Sequence, residues 1–494
     1  MSEGIKKYSS ILLKGTVAAT IANSATKVVS FILLPIFTYY LSPKDYGIVS
    51  IVTMIATVFA HICNPGILTA TTRLYHATDN EAERQVLIGS ANRFFLFAPI
   101  IPIIICLLFG PKIFSWIFND FSFYPYGLLA LILTLIRQPA RVWITLMTLQ
   151  YKFHQATIYN GIAIIIGMLV TLLLIVGFKM GAMGKVLGMF PTALILFVIS
   201  IITIRKYTLE HWNIQNIKKQ ILFGLPMLGA LWSYQALELG GAYLLERMSD
   251  LKSVGFYAFG MAIAQLPLIL VIGVRQLWNP VFYDNMNKKD YKTVSKLISY
   301  FIAGLTFINL FIVLFSKEAI LILVNERFYE AMPIIGFLIL GVYFDGLITI
   351  SNAALGYKNK FGTISVFALI ASVLFIGLNV LLIPQYDVMG AAIAFGASYF
   401  VFFLLSIWHQ RKTLILITVS YVNLVPIISM IIVTFILYHS NQFFMENELN
   451  FIEILFKLLI LSAVVLLFFI FKILTTNEFV YAYKLIINKI QRKK

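Results

Sequence analysis

Charge is what this sequence has least of, and acidic charge least of all. Of its 494 residues 12% are charged, with 21 Asp plus Glu against 38 Lys plus Arg. A soluble domain is about a quarter charged and about half apolar. This chain is 60% hydrophobic, with a mean hydropathy of +0.90. It has no long polar block from which a large soluble domain would be built. The two cysteines, Cys63 and Cys106, lie in apolar surroundings, so no disulfide framework is implied. A Gly-x-x-x-x-Gly-Lys-Ser/Thr phosphate loop is absent, as are His-Glu-x-x-His and Cys-x-x-Cys metal patterns. These gaps argue against an ATPase and against a metalloenzyme. No cleavable signal peptide is expected either. The first apolar run carries Lys14 and Lys27 and continues to Tyr40, too long for a signal h-region.

What is there is one apolar run after another. About 20 apolar residues cross a bilayer. Hydropathy places spans near 12–40, 46–64, 84–109, 114–149, 155–177, 181–204, 220–246, 254–281, 293–316, 331–356, 362–384, 388–409, 414–438 and 450–474. The reading is an all-α polytopic membrane protein of about 14 transmembrane helices. The net charge of +17 fits cytoplasmic loops better than nucleic acid. With both termini in the cytoplasm, the inner segments hold 24 Lys and Arg and the outer segments 8, which fixes the orientation.

The chain also repeats itself. "LQYKFHQATI" at Leu149–Ile158 returns as "LGYKNKFGTI" at Leu355–Ile364, an offset of 206. The same offset pairs Met183-Gly184 with Met389-Gly390, and an offset of 208 pairs "KDYG" at Lys44 with "KSVG" at Lys252. Both copies of the ten-residue phrase sit where an even-numbered span meets the next on the cytoplasmic side, and KDYG and KSVG both sit in outer hairpins. The expectation is two six-helix lobes, 1–208 and 209–412, related by a pseudo-twofold axis along the membrane normal. Residues 413–494 add a helix pair and a basic cytoplasmic tail. The linker Tyr207–Gln220 reads either as a short amphipathic surface helix or as a solvated connector.

At this point the residues resemble a known family. "LLPIFTYYLSPKDYGIVSIV" (Leu33–Val52) resembles the first hairpin of the polysaccharide transporter branch of the multidrug/oligosaccharidyl-lipid/polysaccharide (MOP) exporter superfamily. "YDVMGAAIAFGASY" (Tyr386–Tyr399) resembles its Gly-x-x-Gly-Ala-Ala stretch, with Asp387 standing at the first Gly. The nearest type is a Wzx-type oligosaccharide flippase. The resemblance implies alternating access around a central cavity. It implies an undecaprenyl-pyrophosphate-linked oligosaccharide moved from the inner to the outer leaflet of a bacterial cytoplasmic membrane. Polysaccharide polymerases and glycosyltransferases are the expected protein partners, and no cofactor beyond a coupling H⁺ or Na⁺ is expected.

Ionisable groups within spans are costly and point to cavities or partners. The first lobe holds Lys27, Arg93, Arg137 and Arg141, with no acid in those spans beyond Asp120 near the outer start of the fourth. Arg137 and Arg141 are four apart, hence on one helix face, with Pro139 between them. Such cations suit a pyrophosphate, which Arg binds in bidentate fashion; the alternative is snorkelling to headgroups. The second lobe holds Glu238, Arg275 and Asp345. Arg275 is a further cavity or gate candidate. Glu238 and Asp345, with Asn379 as an oxygen donor, are candidates for binding a coupling ion; the alternative is an ion pair with Arg275. Trp143, Trp232, Tyr234, Tyr243 and Trp278 suit either sugar stacking or helix packing. Two rival functions stand beside the flippase. A drug/cation antiporter on the same fold would favour an acidic cavity. A membrane glycosyltransferase or polymerase would favour acidic residues in large outer loops, and the outer loops here are short.

Overall fold

The computed structural model describes residues 31–208, 213–225, 228–358, 360–410, 421–443, 450–471 and 473. Lys27 and the tail Val480–Lys494 lie outside the described residues. Within them every regular element is helical. Eighteen helices run in order: α1 Leu34–Tyr40, α2 Pro43–Ile62, α3 Ile67–Ala77, α4 Glu81–Phe97, α5 Ile100–Ile117, α6 Leu128–Leu149, α7 Phe153–Leu172, α8 Gly181–Leu187, α9 Met189–Thr208, α10 Ile214–Gly224, α11 Leu228–Met248, α12 Leu251–Ala264, α13 Leu268–Asn287, α14 Tyr291–Leu323, α15 Met332–Tyr357, α16 Phe361–Gln410, α17 Tyr421–Phe443 and α18 Phe451–Ile470. Among the described residues nine helical segments are long and apolar enough to cross a membrane. In a bilayer only helices and closed barrels satisfy every backbone polar group internally. This is a multi-pass helical membrane protein.

Local chemistry sets where helices start and break. Ser42 and Asp45 form a reciprocal capping box at the start of α2. The Asp45 N–H donates to the Ser42 hydroxyl (3.2 Å), the Ser42 N–H donates to Asp45 Oδ2 (2.8 Å), and Pro43 takes the first helical position. Two hydropathy boundaries move. The third span is not one helix to 109; the chain turns at Ala98-Pro99, and α5 runs on to Ile117. The fourth begins only after the loop at 118–122, through a π-helical turn Phe123–Gly127. Sequence hydropathy ended the third span at 109 and started the fourth at 114 because the apolar, aromatic run continues through Ile117 into that loop. Pro267 interrupts the eighth span, separating α12 from α13.

The chain clusters into two compact units. The first comprises residues 1–262 with 372–394; the second comprises 263–371 with 395–494. In the first, α9 packs on α6, α7 and α4 around a core that includes Trp143, Leu146, Phe95 and Ile204. The linker does form an amphipathic helix, α10: Ile217 and Ile221 pack on that core, and buried Gln220 donates to the Leu87 carbonyl at 3.0 Å. In the second unit, α14 and α15 pack together and receive α17, with α18 against α14. Both copies of the repeated phrase fall at a helix junction, the first between α6 and α7, the second between α15 and α16. Cys63 and Cys106 are free and buried.

Candidate anion-binding site

Helix α6 carries the site. Three of its side chains register it on the carbonyls of α2. The Thr134 hydroxyl reaches Ala56 O (3.1 Å), and Gln138 Nε2 and Arg141 Nη1 both reach Ala60 O at 3.5 Å. Gln138 and Pro139 are buried between them. This registration holds Arg137 and Arg141 half-buried on one face of an apolar helix. Among the described residues no carboxylate lies within ion-pair distance of either. Each arginine instead lies in the other's field or beside neutral groups. Two like charges one turn apart in a low-dielectric setting are unfavourable, and an anion relieves both desolvation and repulsion.

The other sequence candidates divide. Arg93 is half-buried on α4. Arg275, on α13, lies 3.6 Å from Asp345 Oδ2 and donates to the Thr349 hydroxyl at 2.7 Å. These two are therefore a pair. Glu238 is exposed on α11, and Asn379 is fully buried in α16. The Asn379 amide donates to Phe375 O (2.7 Å), while its Oδ1 is buried without a hydrogen-bond partner. Among the described residues no group of three or more His, Cys, Asp or Glu is placed to hold a metal ion.

Two of the aromatic candidates are packing residues. Trp143 and Trp278 are buried, against Tyr159 and Phe282 respectively. Trp232 and Tyr243 instead line an apolar cavity of about 430 Å³ with Phe59, Phe114 and Leu239; Gln235 is its polar member.

Several polar groups escaped the sequence reading. Glu246 is fully buried at the end of α11, where its Oε1 accepts the backbone N–H groups of Asn119 (2.9 Å), Asp120 (2.7 Å) and Phe121 (3.0 Å). At the top of α18, Glu453 accepts from Lys317 (2.8 Å) and Lys457 (2.7 Å), and Lys457 also donates to Glu318 at 2.6 Å. That network joins α18 to α14. Its signal was available: Glu453 and Lys457 are an i,i+4 acid–base pair inside an apolar run. Glu246 gave no such signal, because its partners are backbone amides.

The chain belongs to the polysaccharide biosynthesis protein family, whose model matches residues 12–286. Its fold is like that of solved flippase and multidrug-transporter structures. It is similar to the lipid II flippase MurJ in an inward closed conformation, with a TM-score of 0.67, 17% identity, and 93% of this chain and 97% of that one covered. It is also similar to the MATE multidrug transporter DinF-BH, with a TM-score of 0.58, 15% identity, and coverage of 82% and 95%. An uncharacterized membrane protein, MJ1068, of Methanocaldococcus jannaschii is 25% identical over 201 residues. The match spans 36% of this chain and 36% of that relative.

Proposed function

We propose that this protein is a flippase for polyprenyl-pyrophosphate-linked oligosaccharide, undecaprenyl being the expected carrier. It moves the repeat unit from the inner to the outer leaflet by alternating access between two six-helix lobes, 1–208 and 209–412. The setting is a bacterial cytoplasmic membrane, with both termini inside, beside the glycosyltransferases and polymerase that make and use the substrate. Family membership supports a role in polysaccharide biosynthesis, and the MOP fold supports transport. The observation that carries the reading is the Arg137–Arg141 ladder, two cations on one face of a span helix with no acidic partner among the described residues. A pyrophosphate is the anion that matches two guanidinium forks. Arg93 and Lys27 extend the cationic set. The apolar cavity beside α2 offers no acid to a cationic drug, which favours the flippase over the antiporter.

Glu238 and Asp345 are the acidic candidates for coupling to H⁺ or Na⁺, with buried Asn379 as an oxygen donor. The test is reconstitution in vesicles, counting lipid-linked glycan in each leaflet. Parent protein should move it, and Arg137→Ala at equal abundance should not. Equal flipping by both would reject the reading.

A further inference from the structure

A second cavity, of about 540 Å³, opens at the end of α3 assigned to the cytoplasm, lined by Leu68, Thr69, Thr72, Arg73, His76 and Thr145. We propose that it holds the first sugar of the carrier-linked glycan and selects one that bears a carboxylate. This rests on the flippase reading and names the substrate class for it.

Position is the first argument. Thr145 is on α6 and continues the face of Arg137 and Arg141, since all three are spaced by four. Its hydroxyl donates to the Arg141 carbonyl at 3.0 Å. One turn of four residues is about 6 Å along the helix. The first sugar is esterified directly to the pyrophosphate. With the pyrophosphate on the two arginines, that ring falls at Thr145 and enters this cavity.

Chemistry is the second. The Thr72 hydroxyl donates to Leu68 O (2.9 Å), as Thr145 does to Arg141 O, so both hydroxyls turn lone pairs outward. They accept from sugar O–H groups. Arg73 and His76 supply donors, and no acidic residue lines the cavity. A ring with hydroxyls and a carboxylate matches that set; a neutral hexose leaves Arg73 unused.

Rigidity is the third. Gly66, with φ of +78°, starts α3 and packs backbone to backbone on Gly224 of α10. A Cβ on either glycine would strike the other's backbone. Arg73 lies over the Phe223 ring at 5.0 Å, which pre-orients its guanidinium. At the other end of α3, Arg84 donates to Tyr75 O at 3.2 Å and stacks on the Tyr75 ring. The cavity floor is thus fixed before a ligand arrives.

The experiment uses the full chain in nanodiscs and three soluble short-chain probes: farnesyl pyrophosphate, farnesyl-pyrophosphoryl glucose and farnesyl-pyrophosphoryl glucuronic acid. The glucuronyl probe should bind about tenfold more tightly than the glucosyl probe, ~1.4 kcal/mol. Arg73→Gln should erase that preference. Thr72→Val should weaken both sugar probes several-fold and leave farnesyl pyrophosphate unchanged, which shows that the protein is folded. Equal binding of all three probes with retained dependence on Arg137 overturns the sugar site and leaves the flippase reading intact. Farnesyl pyrophosphate binding that ignores Arg137 overturns the flippase reading itself. A preference that appears only in anionic-lipid nanodiscs and vanishes in zwitterionic ones assigns Arg73 to lipid headgroups and overturns the proposal.

Discussion

Gly47 and Gly255 meet in a reciprocal backbone contact. A Cβ added to Gly47 would collide with the Leu251 carbonyl, and one added to Gly255 would collide with the Pro43 carbonyl. Pro43 is to Leu251 as Gly47 is to Gly255: both pairs are 208 residues apart. Each partner offers the other the same surface, as in an isologous dimer interface. Small residues let helix backbones approach closely within a membrane. Here they join the first turns of α2 and α12, at the end assigned to the outer face.

Gly47→Ala should therefore push these turns apart, at the 1–3 kcal/mol typical of overpacking. Gly255→Ala should do the same. The measurement is labelling of a cysteine placed at buried Ser253 by a membrane-impermeant reagent added outside, with Cys63 and Cys106 replaced. Slow labelling in the parent and faster labelling in both glycine variants is expected. Identical rates would show that this contact closes nothing.

Near this contact the two halves use one device with its parts exchanged. In the first half the carboxylate is on the helix: Asp45 Oδ1 accepts from the Ala182 N–H (3.2 Å), beside Gly181 at φ +55°. In the second half Ser253 takes the place of Asp45 and Asp387 that of Gly181. The Ser253 hydroxyl donates to Asp387 Oδ2 at 2.8 Å. Asp387 holds φ 48°, ψ −127°, a conformation that glycine adopts freely and other residues at a cost of about 1–3 kcal/mol. Asp387→Gly alone should lose the bond while relieving the strain. Adding Ser253→Asp should rebuild the first-half arrangement and raise the melting temperature above that of Asp387→Gly. A double variant no more stable than the single one would mean the two sites are not equivalent.

The sequence carried this arrangement only in part. Asp387 stood out there as a departure from the family's glycine, but its partner could not be read, because Ser253 is 134 residues away. The helical class and the amphipathic α10 were legible because apolar periodicity and Gly/Pro punctuation are local signals. The Arg137–Arg141 ladder was legible from spacing alone. The pairing of Arg275 with Asp345 was left open because a distance between two helices is not in either one. Lys457 was passed over: a single Lys in a long apolar run is outvoted by hydropathy, and the network that justifies it spans α14 and α18.

That network makes its own prediction. Lys317, Glu318, Glu453 and Lys457 are nearly buried, with alternating charges in contact. Removing one member leaves an uncompensated buried charge, which commonly costs about 3–5 kcal/mol. Lys457→Met should lower thermal stability sharply. Lys457→Met with Glu318→Leu should recover much of the loss, because the Lys317–Glu453 pair that remains is balanced. Thermal melts in detergent check it. A double variant as unstable as the single one would reject charge balance as the cause.

Glu246 offers a sharper contrast between charge and shape. Its oxygen gathers three consecutive N–H groups of the loop at 119–121, and charge-assisted bonds are about twice as strong as neutral ones. Glu246→Gln keeps the shape and an acceptor but loses the charge; Glu246→Ala loses both. Amide exchange at Asp120 and Phe121 should speed up modestly in the first and strongly in the second. Equal protection in parent and Glu246→Ala would show that the loop holds itself.

The last prediction separates ion coupling from ion pairing. Arg275 and Asp345 lie 3.6 Å apart, so Asp345→Asn strands a cation within an apolar span. Loss of transport in that variant would therefore not by itself mark a coupling site. Restoring neutrality with Arg275→Gln in the same chain distinguishes the two cases. The double variant should regain transport with the ion dependence of the parent, because the pair then serves only to cancel itself. Glu238 is exposed on α11, and Glu238→Gln should keep substrate binding while transport stops responding to an imposed proton or Na⁺ gradient. Both are read in vesicles with each gradient set independently and the glycan counted in each leaflet. A double variant that binds but stays inactive would return Asp345 to the coupling site. A Glu238→Gln protein that still follows the gradient would remove Glu238 from it.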